Sequence, residues 1–216
     1  VKAIKLSDKF RTSLGLEHKK IYNSNPEGEE SSASFKGGSV NISAGEEFNF
    51  IVVTPLGYTR NGWYGSWSKG LDERSLEKEG PYSEKDVMNV LKLVRDNYSI
   101  DSNNLFLWGH SMGGAGTYHL GMKYPDLWKA LALAAPAPPQ VRTLEDLKII
   151  QDIPILVLQG TKDRLVYPTR EWVAEMKKLE MNYIYDEIDG ADHSFFVSKN
   201  KPNMKKIFDF FVDNRN

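Results

Sequence analysis

The stretch that most constrains this chain is Gly109-His-Ser-Met-Gly-Gly, because of what stands on either side of it. Before it runs Leu105 to Trp108, a short apolar segment entered from the Asn103-Asn104 turn, which is the pattern of a buried strand. After it, Met112 to Lys123 reads as a helix stopped by Pro125. A Gly-x-Ser-x-Gly between a strand and a helix makes a sharp reversal. The serine takes a strained backbone conformation and its hydroxyl points outward. Glycine is expected at 109 and 113 because side chains there would meet neighbouring turns, while Gly113, Gly114, Ala115 and Gly116 let the helix press on the sheet. The backbone N–H of Met112 then opens the helix, where developing negative charge is favoured.

The rest of the chain extends this alternation. Phe48 to Thr54 is an apolar, β-branched run closed by Pro55, again a buried strand. Ser83 with Asp86 resembles a capping box, and Val87, Val90, Leu91 and Val94 follow at helical spacing to Tyr98. Further strands are expected at Ala130 to Ala135, Ile155 to Gln159 and Tyr183 to Ile188. Helices are expected at Pro168 to Leu179, with Pro near its first position, and at Pro202 to Asp213, with Met204, Ile207, Phe208 and Phe211 on one face. Short apolar strands alternating with amphipathic helices predict a mostly parallel α/β sheet flanked by helices. Functional residues of such a sheet lie just past the carboxyl ends of its strands.

That rule selects two partners for Ser111. Asp163 sits three residues after Gly160, which ends the Ile155 strand, and His193 follows the Tyr183 strand. The separations from Ser111 to Asp163 and from Asp163 to His193 are 52 and 30 residues. Each side chain follows a strand of the same sheet, so all three reach one edge, in the order nucleophile, acid, base. Of the four histidines, His18 lies in an irregular region. His110 is expected to pack or hydrogen-bond at the elbow, and His119 to serve as a core or interhelix residue. His193 is left as general base. Asp186, Glu187, Asp189 and Asp192 are rival carboxylates near it. They form no metal-ligand spacing, and neither metal nor cofactor is expected.

Composition narrows the function class. Twenty-eight basic against twenty-nine acidic side chains give a net charge of −1, which excludes the strong basic field of a nucleic-acid binder. There is no cysteine, hence no disulfide framework, thiolate metal site or cysteine nucleophile. The longest run free of strongly polar residues, Ala130 to Pro139, is far short of the ~20 residues of a membrane span. The start, Val-Lys-Ala-Ile-Lys-Leu, lacks both an initiator Met and the apolar core of a signal peptide. It fits a soluble protein that is a mature, secreted or excised piece of something longer. One domain is expected, with an irregular N-terminal region over residues 1–47 and a catalytic core over 48–216. Arg11 to Glu47 is polar and rich in Gly, Ser, Asn and Glu, and reads as loops with one short strand around Ser39 to Ile42.

From about Phe50 to His193 the chain resembles the α/β-hydrolases. Within them it resembles the branch of small esterases, feruloyl esterases and polyhydroxybutyrate depolymerases, with dienelactone-hydrolase and prolyl-oligopeptidase relatives. The resemblance rests on Ile51-Val-Val-Thr-Pro-Leu-Gly-Tyr, on Ile100 through Tyr118 across the elbow, and on Lys123-Tyr-Pro-Asp-Leu-Trp-Lys-Ala. It implies an α/β-hydrolase fold with Ser111, Asp163 and His193 as nucleophile, acid and base, acting on a small-molecule ester. The chain departs from the family at one place. A strand ending in a His-Gly-Gly-type loop, which carries the second oxyanion donor, is expected upstream of Phe48 and is not found. Phe35-Lys-Gly-Gly has the glycine pair but no apolar strand before it. Either that loop has diverged, or a segment is shortened or absent, or the second donor comes from the loop at Leu56 and Gly57. Tyr58 to Trp67 (YTRNGWYGSW) follows the Phe48 strand at the active edge. There Tyr58, Trp63, Tyr64 and Trp67 are candidates to line an acyl or aryl pocket, or to tie the loop to the core.

Overall fold

The computed structural model describes residues 31–35, 38–45, 50–55, 61–66, 73–195 and 201–216. Three strands, β1 (Ser31–Phe35), β2 (Gly38–Gly45) and β3 (Phe50–Pro55), pair antiparallel in that order. Four more form a wholly parallel sheet in sequence order: β4 (Phe106–His110), β5 (Ala130–Ala134), β6 (Ile155–Gly160) and β7 (Tyr183–Ile188). The helices are α1 (Glu73–Asn97), α2 (Met112–Lys123), α3 (Val166–Lys178) and α4 (Lys201–Asp213). None of the described helices is long and apolar enough to cross a membrane.

The central strands are buried along their whole length, and their residue alternation sorts the two faces. Leu131, Leu133, Ile155 and Val157 pack with Tyr118, Met122, Trp172 and Met176 of α2 and α3. Ala130, Ala132 and Ala134 turn the other way, with Leu156 and Leu158, against Ile207, Phe210 and Phe211 of α4. The alanines of β5 leave room on that face for the α4 aromatics, so small and large residues interlock across the layer. Burying a single Leu or Phe there contributes about 1.5–3 kcal/mol.

Two expectations change. The region read as loops holds β1 as well as a longer version of the Ser39 strand. Ser31-Ser-Ala-Ser-Phe has no apolar run to announce a strand, and its pairing comes from the neighbouring β2. Helix α1 starts ten residues before Ser83 and continues through Gly80-Pro81. Ser83 is therefore no N-cap. It is a buried interior residue whose Oγ accepts a hydrogen bond from the Tyr64 backbone N–H at 2.9 Å.

Candidate active site

Ser111 stands between β4 and α2 at φ 55°, ψ −113°, a conformation that costs a non-glycine residue roughly 1–3 kcal/mol. The surroundings hold it there. Its N–H donates to the Ala134 carbonyl at 3.0 Å, and its carbonyl accepts from Ala137 N at 3.0 Å and Ala115 N at 3.2 Å. The tightness of the elbow shows at Gly109, where a Cβ would lie 2.1 Å from the Gly113 carbonyl oxygen, and at Gly114, where it would lie 2.7 Å from Pro136. Gly113 departs from the expectation, because a Cβ there would meet nothing within 4 Å. The close approach to the sheet falls one residue later, at Gly114.

The three side chains singled out in sequence converge. His193 Nε2 lies 2.8 Å from Ser111 Oγ, and His193 Nδ1 lies 2.8 Å from Asp163 Oδ2. The Asp163 side chain is fully buried. Its Oδ1 accepts from Leu165 N at 3.0 Å and its Oδ2 from Gln159 Nε2 at 3.1 Å. Burial alone pushes this carboxyl upward. The hydrogen bonds from Leu165, His193 and Gln159 outweigh it and hold Asp163 below the ordinary carboxylate value. Gln159 is itself fixed, since its Oε1 accepts from Thr169 Oγ1 at 3.0 Å in a buried setting.

None of the rival carboxylates takes this place. Asp189 accepts from Thr161 Oγ1 at 3.0 Å, Asp192 from Ser194 N at 3.0 Å, Glu187 from Arg170 Nε at 2.9 Å, and Asp186 pairs with Lys206. Among the described residues no group of acidic and histidine side chains could hold a metal ion.

Two supporting residues bear on the site. His110 Nε2 donates to the backbone carbonyl of His193 at 2.7 Å, and the two rings lie 4.8 Å apart. Burial, with the His193 charge adding to it, outweighs the bond to the His193 carbonyl and lowers the His110 pKa below its ordinary value. Gln159 was not singled out from sequence, because a polar residue at the end of an apolar strand carries no motif. His119 is buried as expected, its Nε2 2.9 Å from Glu84 Oε2.

The aromatic loop reaches the site through Tyr64. Trp63, Tyr64 and Gly65 have φ of 44°, 56° and 87°, a tight 3-10 turn pinned between α1 and α2. A Cβ on Gly116 would lie 2.7 Å from the Tyr64 ring, so the absence of a side chain at 116 lets that ring settle on α2. Tyr64 lines a cavity with Met112 and Gly113, whereas Trp63 is not among the described residues around it. Leu56, Gly57, Tyr58 and Trp67 lie outside the described residues.

Residues 82–143, from α1 through the elbow and β5, match the family model for serine aminopeptidases of the S33 type. No curated protein matches the chain in sequence. Among solved structures, a thermostable esterase is 26% identical, covering 58% of this chain, with a TM-score of 0.48; the match spans 36% of that protein's length. An S-formylglutathione hydrolase from Agrobacterium tumefaciens is 15% identical, covering 90% of this chain and 98% of that one, with a TM-score of 0.70. A predicted CIB-like hydrolase from Thermoplasma acidophilum is 14% identical, covering 92% and 98%, with a TM-score of 0.58. The parallel sheet, the elbow and the two likenesses that cover nine-tenths or more of the chain define the α/β-hydrolase fold.

Proposed function

We propose that the chain hydrolyses carboxylic esters through an acyl-enzyme, with Ser111 as nucleophile, His193 as general base and Asp163 as its orienting acid. The observation that carries this reading is the unbroken hydrogen-bond line from Ser111 Oγ through both ring nitrogens of His193 to Asp163. With Nδ1–H donated to Asp163, the imidazole presents a lone pair on Nε2 to the serine hydroxyl. As Oγ attacks the ester carbonyl, its proton passes to Nε2, and the buried Asp163 carboxylate stabilises the imidazolium. The proton then goes to the leaving alcohol, and water, deprotonated in the same way, releases the acid. The Met112 N–H, at the start of α2, is the first oxyanion donor. Short-chain or aryl (feruloyl-type) esters are the proposed substrates, with Tyr64, which packs on α2 at Gly116, as the aromatic side chain that would border them.

The test is titration with a fluorophosphonate, followed by a panel of p-nitrophenyl esters, feruloyl esters and a peptide anilide. Stoichiometric labelling of Ser111 with turnover of esters supports the reading. Turnover of the anilide alone makes the chain a peptidase. No labelling makes it a binding module on a hydrolase fold.

A further inference from the structure

Gln159 is a polar residue in an otherwise apolar strand. β6 reads Ile-Leu-Val-Leu-Gln-Gly, and all of it is buried, Gln159 completely. An amide in that position costs free energy unless its polar atoms are bonded, and here they are. Its Nε2 donates to Asp163 Oδ2 at 3.1 Å and to the Gly160 carbonyl at 3.2 Å, while its Oε1 accepts from Thr169 Oγ1 at 3.0 Å. These bonds fix which way the amide faces. Flipped, Oε1 would meet the Gly160 carbonyl and the Asp163 carboxylate, both of them acceptors. Thr169 is buried as well, near the start of α3. A helical threonine commonly turns its hydroxyl to the carbonyl four residues back. Thr117 does so, donating to the Gly113 carbonyl at 3.0 Å. Thr169 donates across to the strand instead.

The Asp163 carboxylate is held at three points. Leu165 N reaches Oδ1, and Oδ2 takes both the Gln159 amide and His193 Nδ1. Without the amide, only the bond at Oδ1 would tie the carboxylate to its own side of the site. It could then turn about that bond and carry Oδ2 away from the imidazole. We infer that Gln159 and Thr169 are positioning residues of the triad: Thr169 anchors the amide, the amide fixes Asp163 Oδ2, and Oδ2 fixes the His193 ring. The line that starts at Ser111 Oγ thus runs two residues past the acid and ends on α3. In the esterase reading, on which the catalytic consequence rests, the ring so fixed is the general base. The titratable groups whose charge couples to Asp163 are His193 and His110. Arg170, next to Thr169 on α3, is paired with Glu187, and Lys162 and Arg164 are exposed. Asp189 and Asp192 have the partners given above. A carboxyl in place of the Gln159 amide would put a second buried acid within hydrogen-bond reach of Asp163, and such a pair shares one proton.

The experiment uses the full chain and reads four quantities together: fluorophosphonate labelling, kcat and KM for p-nitrophenyl acetate, melting temperature, and the downfield proton resonance of His193 Nδ1–H. That resonance reports the bond to Asp163 whether or not the chain turns over esters. Replacing both partners of a buried bond by apolar groups of the same shape is nearly neutral for stability. The double variant Gln159→Met, Thr169→Val should therefore melt within a few degrees of wild type. Its kcat should fall by ~10-fold or more at little-changed KM, the worth of one hydrogen bond to a charged group, and its downfield proton should shift or broaden. Thr169→Val alone should lower kcat, and Thr169→Ser, which keeps the hydroxyl, should restore it. Gln159→Glu should give kcat/KM a falling alkaline limb that wild type lacks, because its protonated carboxyl donates to Asp163 and its ionised form repels it. A double variant with wild-type kcat and an unmoved downfield proton overturns the positioning role, and labelling with ester turnover by wild type then keeps the esterase. Loss of melting temperature with kcat per labelled site unchanged also overturns it and leaves the pair as packing. If the double variant and Gln159→Glu do not fold, equal kcat and an equal downfield proton in Thr169→Val and Thr169→Ser overturn it. Wild-type protein that takes no label sinks the esterase reading, while a downfield proton altered by Thr169→Val and restored by Thr169→Ser keeps the positioning role.

Discussion

Replacing Ser111 by glycine should make the protein more stable and inactive at once. The residue sits at φ 55°, ψ −113°, where a Cβ is strained by roughly 1–3 kcal/mol and glycine is not. Against this stands the greater freedom glycine loses on folding, about 0.5–1 kcal/mol. The net gain is about 0.5–2 kcal/mol, and at roughly 2–4 °C per kcal/mol for a chain of this size the melting temperature rises by ~1–8 °C. Ser111→Ala is the control. It removes the same hydroxyl and the same 2.8 Å contact to His193 but keeps the Cβ, so the difference between the two variants isolates the backbone term. Both should lose ester hydrolysis by a factor on the order of 10⁴ or more. Calorimetric melting of the wild type and both variants, beside p-nitrophenyl acetate turnover, decides the matter. If the glycine variant melts no higher than the alanine variant, the elbow is not strained as argued. If either variant keeps turnover within tenfold of wild type, Ser111 is not the nucleophile.

Asp163→Asn should lower kcat by ~10³–10⁴ with KM little changed, because the amide favours the wrong imidazole tautomer; Asp189→Asn and Asp192→Asn, measured beside it, should stay near wild type, and the reverse pattern reassigns the acid. Glu84 accepts from His119, Lys123 and Tyr124 at 2.9, 2.8 and 2.6 Å; burial pushes its carboxyl up, but these donors prevail and hold it at about 2 against the ordinary 4.5. A depressed carboxyl stabilises the fold above its unfolded value, so Glu84→Gln should melt below wild type at neutral pH, with the gap closing as pH falls from about 4.5 towards 2; a gap constant with pH would show that Glu84 contributes no charge-linked stability. Tyr64→Ala should shift the ratio of kcat/KM for aryl over acetyl esters by roughly ten- to a hundredfold, the worth of burying one large apolar group; an unchanged ratio with a melting temperature several degrees lower would make the ring purely a structural prop.

What could be read in advance followed from local pattern. The elbow was visible because Gly109-x-Ser111-x-Gly113 sits between an apolar strand and a helix. Asp163 and His193 were visible because each follows an apolar strand of the same sheet, so topology alone carries them to one edge. Their supports were hidden. Gln159 and His110 act through contacts with residues 4 and 83 positions away, and nothing in their immediate neighbours signals it. The first turns of α1 were hidden because Gly80-Pro81 reads as a break, although Pro81 is accommodated inside the helix. β1 was hidden because its residues are small and polar and its pairing partner supplies the order. The His-Gly-Gly-type motif was not found in sequence; that β3 pairs only with β2 and β4 only with β5 among the described residues needs the three-dimensional arrangement.

The bond from His110 to the backbone of His193 closes a small loop of connectivity. Starting at the Ser111 hydroxyl, one passes through the His193 ring to its main chain, across 2.7 Å to His110, and back along one peptide unit to Ser111. A closed linkage behaves as a truss: none of its members can lengthen unless another yields. The distance between hydroxyl and imidazole is thus referenced to the elbow itself and not to the path the chain takes after Phe195. Changes of length in the chain that follows the base should therefore leave the hydroxyl–imidazole distance unaltered.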